Sequence, residues 1–464
     1  MIEILNYFFS AIRETKHAIS LDVADLTYLY LPHNIKYQVN LKSGVPRKGI
    51  GVRIAAFFWH MIKSLWQSPR KVSVNSQHQP FFFAVTNNQE RVLRPLAQKF
   101  DKSYFFGING FGNEQLPLFW VYLTALPFFP LVFIKFLKAR GLGKKAFHYV
   151  FDAYWLSYGL FIFMIWLLRK IQPSVVILSN DHLVWTRTLM KAAREEKIKT
   201  VYLQHASVTE RFPPLTVDFA LLEGDNAAEK YASRGASKTS VFLIGTPHFD
   251  KYFTKVNKRS KVQKIGICVG MLDELQSVII LGKALNDAIF NKNIFLRSHP
   301  GDARATEWQQ TAAQLGWAYS DGKTEDAFQF LASMDVILAG DSNILLEAAL
   351  MNVVPIYYDF MKNHLDWYGF LKNGLVVYHA DPLSVAECIK EIDRGSRTYN
   401  FRTKAKTFCA TVETIYEGRS SELATNLIYQ IAQEAIDYRL WLSQKLASGI
   451  IVNRLNLALQ NSSG

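Results

Sequence analysis

Two short stretches place groups suited to a phosphate at the ends of apolar runs. In NIFLRSHPGD (293–302) the run Ile294–Leu296 stops at Arg297, Ser298, His299 and Pro300. It reads as a buried strand ended by Pro300 and Gly301, so Arg297 and His299 should stand at its carboxyl end, where open α/β sheets bind ligands. An imidazole there can donate a hydrogen bond to a phosphate, and a guanidinium can offset its charge. In LAGDSNILLEAALMNVVPI (338–356) a strand should end at Gly340–Asp341, with Ser342 at an N-cap and a helix carrying Glu347 one and a half turns in. Such a helix start presents free N–H groups and the positive end of a dipole. Ser342 and Asn343 can add hydrogen bonds, and Glu347 can accept one from a ribose hydroxyl. Asp341 beside a phosphate is unfavourable, so it should point away or hold a backbone turn. The same residues would equally serve a capped helix and a hydrogen-bonded loop histidine in any α/β protein.

The elements around these stretches alternate in βα fashion. From residue 80 come PFFFAVT (80–86), a helical NNQERVLRPLAQKF and SYFFG, then SVVILSND (174–181), a helix from His182, TVYLQHA (200–206), DFALLEG (218–224) and TSVFLIG (239–245). A second series begins with KIGICVG (264–270) and runs through DVILAGD (335–341), VVPIYYD (353–359) and LVVYHA (375–380). The pattern predicts an α/β chain of two doubly wound domains in tandem with a cleft between them. The boundaries read as a basic N-terminal region (1–79), a first domain (80–246) with a hydrophobic helical insertion (112–170), a linker (247–263), a second domain (264–404) and C-terminal helices (405–464) that return to brace the first domain.

The 464 residues suit two large domains, and a hydrophobic content of 49% excludes a disordered chain. Aromatic residues make up 14% and the net charge is +14, with eight Lys or Arg and no acid between residues 26 and 89. That surface could face anionic lipid, nucleic acid or an acidic polysaccharide. Segments 115–134 and 153–168 approach membrane-spanning length, and Lys135, Lys138, Arg140, Lys144 and Lys145 lie between them. We read them as a hairpin that docks on an anionic membrane rather than as two spans or a buried helical pair, and we expect no nucleic-acid partner. Cys268, Cys388 and Cys409 are far apart, which argues against a disulfide framework or a zinc site and for a reducing compartment. The opening MIEILNYFFSAIRETKHAI carries Glu3 and no small-residue cleavage site, so it does not read as a secretory signal. The expected location is cytoplasmic and peripheral, on the inner face of a membrane.

RSHP followed by GDSNILLEAALMNVVPI resembles the nucleotide-binding half of GT-B-type bacterial surface-polysaccharide glycosyltransferases with a His-Pro motif, a group that includes capsule polysaccharide enzymes, polysialyltransferases, Kdo transferases and CDP-glycerol transferases. VYLQHASVTERFPP and LIGTPHFDKYF are similar to the family's Gln-His-Gly and Gly-Ser-Pro-x-Phe-Asp segments, with Ala206 where glycine is usual. The resemblance, over roughly 170–400, puts the donor-phosphate contacts on His299 and Ser342 and matches Glu347 to the acidic residue that often holds the donor ribose or sugar; with Arg297, Pro300 and Asn343 beside them, these are the expected donor-nucleotide residues. It implies a nucleotide-sugar donor, best matched by CMP-linked sialic acid or Kdo, and a glycan or glycolipid acceptor of capsule or lipopolysaccharide. The resemblance also implies catalysis without a bound metal, which agrees with the absence of a DxD motif on a strand-end loop, so no cofactor or metal is expected.

Glycosyl transfer also needs a base for the acceptor hydroxyl, which should come from the first domain. Asp181 at the end of SVVILSND is the first candidate and Glu210 the second, while His182 and His205 should contact donor or acceptor. Asn180 or Asp181 would equally cap the following helix. The competing readings are a CDP-polyol phosphotransferase, a nucleotide-sugar 2-epimerase and a non-catalytic membrane scaffold of polysaccharide assembly.

Overall fold

The structure is a computed structural model that describes residues 48–67, 77–210, 212–255, 261–396 and 400–456. Most of the basic N-terminal region, part of the linker and the last eight residues lie outside the described residues.

The first domain is built on a nine-stranded sheet. Its strands are β1 (Phe81–Ala84), β2 (Tyr104–Gly107), β3 (Glu114–Gln115), β4 (Val176–Leu178), β5 (Thr200–Leu203), β6 (Phe219–Leu222), β7 (Ser240–Leu243) and, near the end of the chain, β14 (Trp441–Lys445) and β15 (Ile451–Leu455). The second domain has β8 (Lys264–Val269), β9 (Asn293–Ser298), β10 (Ala318–Asp321), β11 (Val336–Ala339), β12 (Val354–Tyr358) and β13 (Val377–His379). Their short, continuously apolar runs suit strands covered on both faces, as parallel sheets require. In β1, Phe81 and Phe83 enter one core, while Phe82 and Ala84 enter another with helices Asn87–Ala97 and Ser420–Ala432.

Both sheets have the same winding. The second runs β10-β9-β8-β11-β12-β13 and the first begins β3-β2-β1-β4-β5-β6-β7, all parallel within these stretches. Each is a doubly wound order that reverses beside its first strand, and ligands bind at the carboxyl edge of such a reversal. The reversals fall between β1 and β4 and between β8 and β11.

Three segments depart from expectation or sharpen it. The insertion folds as helices Leu118–Ala125, Phe129–Lys138 and Gly141–Ile171. By length and composition, 118–138 and 143–171 are apolar enough to cross a membrane, but 143–171 is 83% buried inside the protein. It packs on β1, β2 and helix Val184–Glu195 with Tyr154, Trp155 and Tyr158 inward, so this arm of the expected docking hairpin is core. A Cβ on Gly159 would meet Val121 O at 2.1 Å, which sets how closely helices 141–171 and 118–125 approach. The second departure is C-terminal. Helix Ser420–Ala432 does return to the first domain, but 441–455 forms an antiparallel hairpin whose β15 pairs parallel with β7. Gly449, at φ 88°, makes the turn, and Asn453 Nδ2 donates to Val241 O at 2.8 Å. Third, the first part of the linker is a 3-10 helix, Pro247–Lys255, with Phe249, Tyr252 and Phe253 in the second domain's core. Asp250 accepts from Ser420 N (2.9 Å) and Ser421 N (2.6 Å), so the outgoing and returning chain segments are tied together.

Candidate active site

The carboxyl ends of the two sheets face a cavity of about 670 Å³ between the domains. One wall is the start of helix Asn87–Ala97, with Asn87, Asn88 and Arg91, which follows β1 directly. The opposite wall includes Arg297, His299, Pro300, Ser342, Asn343 and Glu347. All six second-domain residues singled out in the sequence therefore stand on one surface. A smaller cavity of about 260 Å³ adjoins it, sharing His299, Ser342 and Asn343 and adding Asp341, Tyr357, Trp367 and Tyr368.

His299 follows β9 and is exposed. Its Nδ1 accepts from Gly301 N at 3.0 Å, so the neutral ring carries its proton on Nε2. Desolvation lowers its pKa, opposed by Asp302 and aided by Arg297, which favours that neutral form. A neutral imidazole with Nε2–H available is a hydrogen-bond donor suited to an anionic oxygen.

Arg297 lines the cleft but is committed elsewhere. It is buried, its Nη1 donates to Ser320 Oγ at 2.6 Å, its Nη2 donates to Glu325 O at 2.7 Å, and the guanidinium lies over Phe330. It holds β9 to the 320–325 segment instead of presenting a free charge to a phosphate. The following helix, Ile344–Leu350, starts later than expected, with Asn343 at the N-cap and no side-chain cap bond, so Ser342 does not cap it. Asn343 Oδ1 is buried without a partner among the described residues. Asp341 holds a backbone turn through Trp367 N at 2.6 Å, leaving Oδ1 buried and unpartnered. Burial raises its pKa to about 6.

Glu347 is pushed up to about 7, mainly by burial, with Arg91 acting against the shift. Across the domain boundary Glu223 is raised to about 8 by burial and then by Glu347. Gln204 clasps Glu223, donating from Nε2 to Oε2 at 2.9 Å and accepting Glu223 N at 2.9 Å. The first residue of the Gln-His stretch thus joins β5 to β6.

On the first domain, Asn180 Oδ1 accepts from His182 N (3.0 Å) and Leu183 N (2.8 Å), so Asn180 supplies the cap-like contacts before helix Val184–Glu195. Asp181 is buried with both oxygens engaged: Tyr231 Oη donates to Oδ2 at 2.7 Å, and His182 Nδ1 is 3.0 Å from Oδ1. Asp181, expected as the base, thus faces Tyr231 and His182 instead of open space. His182 Nε2 in turn accepts from Asn180 Nδ2 at 3.0 Å, so both ring nitrogens have partners. Glu210 is exposed in the turn after β5, near Lys230, and lines neither cavity. Asp181, His182 and His205 likewise line neither cavity. His205 lies beside His182 and Asp181, its Nδ1 enclosed and unpartnered among the described residues, and burial lowers its pKa to about 4.

Three residues in or coupled to the site escaped the sequence reading, of which Arg91 alone lines the cavity. Arg91 comes from a helix that looked merely amphipathic. His248, in LIGTPHFDKYF, is half-buried with Nδ1 enclosed and unpartnered among the described residues, and desolvation, followed by Arg91 and His205, holds its pKa near 3. Glu223 ends a strand like many others. Lys230 also bridges the domains, donating to Val208 O (2.8 Å) and Tyr368 O (2.7 Å).

No protein-family model matches the sequence, and no curated protein matches it. The fold has close counterparts among solved structures. A UDP-N-acetylglucosamine 2-epimerase from Listeria monocytogenes, described as putative, superposes with TM-score 0.52 at 10% identity, covering 78% of this chain and 98% of its own. A second UDP-N-acetylglucosamine 2-epimerase gives 0.51 at 11%, with the same coverage. The wall teichoic acid polymerase TagF gives 0.47 at 10%, covering 93% of this chain and 99% of its own. The chain has the GT-B fold.

Proposed function

We propose that this GT-B chain is a metal-independent glycosyltransferase, moving a sugar from a nucleotide donor to a surface glycan or glycolipid at the cytoplasmic face of a membrane. The observation that carries the reading is the interdomain cleft, where His299, Ser342, Asn343 and Glu347 stand opposite Arg91. The donor phosphates bind where the two cavities share a wall, with His299 Nε2–H and the Ser342 and Asn343 side chains as donors and Arg91 as counter-charge. The sugar occupies the larger cavity near Glu347. The base occupies the smaller one, among Tyr357, Trp367 and Tyr368.

Asp341 lines that smaller cavity, and a carboxylate there suits an exocyclic amino group better than a carbonyl. This supports cytosine, and with it the CMP-linked sialic acid or Kdo donors that the family resemblance suggests. His182, oriented by Asp181, removes the acceptor proton. A thermal-shift panel of CMP, CDP, UDP and GDP tests the reading: saturation at a hundred times the dissociation constant stabilises by about 2.7 kcal/mol. Stabilisation by cytidine nucleotides is expected, and no response to any of the four would refute it.

A second reading is favoured by the superposition on UDP-N-acetylglucosamine 2-epimerases over nearly their whole length. An epimerase would convert UDP-N-acetylglucosamine without an acceptor, which proton NMR of the incubated sugar nucleotide detects directly.

A further inference from the structure

Helix Ile50–Gln67 is mostly apolar. Its inner face has a clear partner: Phe57 stacks on Trp155 with ring centroids 3.7 Å apart, Arg53 pairs with Asp152, and Gly49 N donates to His148 O at 2.8 Å. Its outer face should then be polar, as on a surface helix of a soluble domain. Instead Val52, Phe58, Trp59, Ile62, Leu65 and Trp66 form an outward stripe, with Trp59 66% and Trp66 78% exposed. The neighbouring helix Phe129–Lys138 adds exposed Ile134 and Leu137. The two helices meet at the same supports: Phe129 lies 4.9 Å from Trp155, and Phe136 lies 5.5 Å from His148.

We infer that this compound face, the outer stripe of Ile50–Gln67 with Ile134 and Leu137, lies on an anionic lipid bilayer. Charge selects the occupant. Residues 48–67 and 118–151 contain no Asp or Glu, while Lys48, Lys63, Lys138, Arg140 and Lys145 are exposed along them. A cationic border around an apolar centre complements anionic headgroups over acyl chains. A second copy of this chain would bring like charges together. The paired tryptophans, seven residues apart on one stripe, suit the headgroup boundary. The surface inference itself stands on the exposed face and does not require the transferase reading.

The test is co-sedimentation of the full chain with phosphatidylcholine vesicles or with vesicles that also contain phosphatidylglycerol. The parent protein should pellet preferentially with the anionic vesicles and largely resist a high-salt wash, because the apolar contribution is not screened. Trp59→Ser with Trp66→Ser should reduce partitioning by about tenfold or more, with an unchanged melting midpoint, as both rings are exposed. Lys138→Glu with Arg140→Glu and Lys145→Glu should remove the preference for phosphatidylglycerol and leave weaker binding to both vesicle types. A parent protein that stays in the supernatant with both vesicles overturns the inference, as does a tryptophan variant that binds like the parent. Sedimentation velocity covers the rival occupant: a tryptophan-dependent dimer that does not bind vesicles assigns the face to self-association. Nucleotide-induced thermal shifts should persist in the tryptophan variant, so failure here is distinguishable from failure of the donor site.

Discussion

Arg91 of the first domain and Asp326 of the second meet across the cleft at 3.0 Å, with the Arg91 guanidinium 5.1 Å from the centre of the Phe328 ring. Asp326 also accepts from Phe328 N at 2.9 Å and from Tyr252 Oη at 3.1 Å, so its carboxylate is fixed before Arg91 arrives. The ion pair is partly solvated and should contribute little to stability, roughly 0.2–1 kcal/mol. Its consequence lies in position, since it sets Arg91 on the cavity wall opposite His299. Arg91→Ala should therefore lower nucleotide affinity by about ten- to a hundredfold, the loss of one charge-assisted contact, while the melting midpoint barely moves. Isothermal calorimetry alongside thermal denaturation separates the two effects.

His299 offers a cleaner probe, because the residue is exposed and its ring accepts a hydrogen bond from its near neighbour Gly301 N. His299→Ala should weaken nucleotide binding by roughly 1.5–3 kcal/mol, and Ser342→Ala by about 0.5–1.5 kcal/mol as the loss of a neutral hydrogen bond. Both proteins should stay folded by circular dichroism. Parent affinity in both would remove the phosphate from this end of β9.

Stability should fall as pH rises from mildly acidic to mildly alkaline. Glu347, raised to about 7, and Glu223, raised to about 8, bind protons more tightly folded than unfolded. Their contribution is fully present below the ordinary carboxylate range and is lost as pH climbs through these values. His205 and His248 act in the opposite direction, resisting protonation when buried, and so oppose folding as pH drops below about 6.5 toward 4. Glu223→Gln should flatten the decline on the alkaline side. Melting midpoints across this range check it, and an unchanged slope in the variant would place the titration elsewhere.

How much of this was readable in advance follows from the range of each signal. The strand ends at Arg297–Pro300 and Gly340–Asp341 were legible because an apolar run stopping at Pro or Gly is a local pattern. Their meeting at one cleft needed strand order, which pairing over long separations decides. Arg91, His248 and Glu223 were missed for the same reason, since each is ordinary in its own segment. The hairpin at 441–455 went unseen because Trp441 and Val452 find their burial only on β7 and its neighbours. The apolar 153–168 run was plain, yet membrane and protein core ask for the same residues, and only packing on β1 and β2 distinguished them.

That packing is itself testable at Gly159. Adding a side chain there forces helices 118–125 and 141–171 apart, since the new Cβ would fall 2.1 Å from Val121 O. Gly159→Val should destabilise by about 1–3 kcal/mol or more, measured by urea denaturation. A neutral outcome would mean the two helices are not held together in the soluble protein.

The most demanding prediction concerns Tyr231, Asp181 and His182. Tyr231 Oη donates to one oxygen of Asp181, and the other oxygen faces His182 Nδ1, so the carboxylate fixes the ring with its proton on Nδ1 and its lone pair on Nε2, which Asn180 Nδ2 must yield to a substrate hydroxyl. If His182 is the base and Asp181 orients it, His182→Gln should cut turnover by about a hundredfold to ten-thousandfold, with donor affinity nearly unchanged. Asp181→Asn should lower turnover too, because an amide can present its N–H to Nδ1 and favour the other tautomer. Tyr231→Phe should have a smaller effect of the same sign, leaving Asp181 with one partner fewer. A merely structural chain predicts a different pattern: lower melting midpoints in Asp181→Asn and Tyr231→Phe, with turnover preserved in His182→Gln. Single-turnover rates at saturating donor decide between them, because binding and product release then drop out of the comparison. Parent-like chemistry in His182→Gln would move the base away from the end of β4.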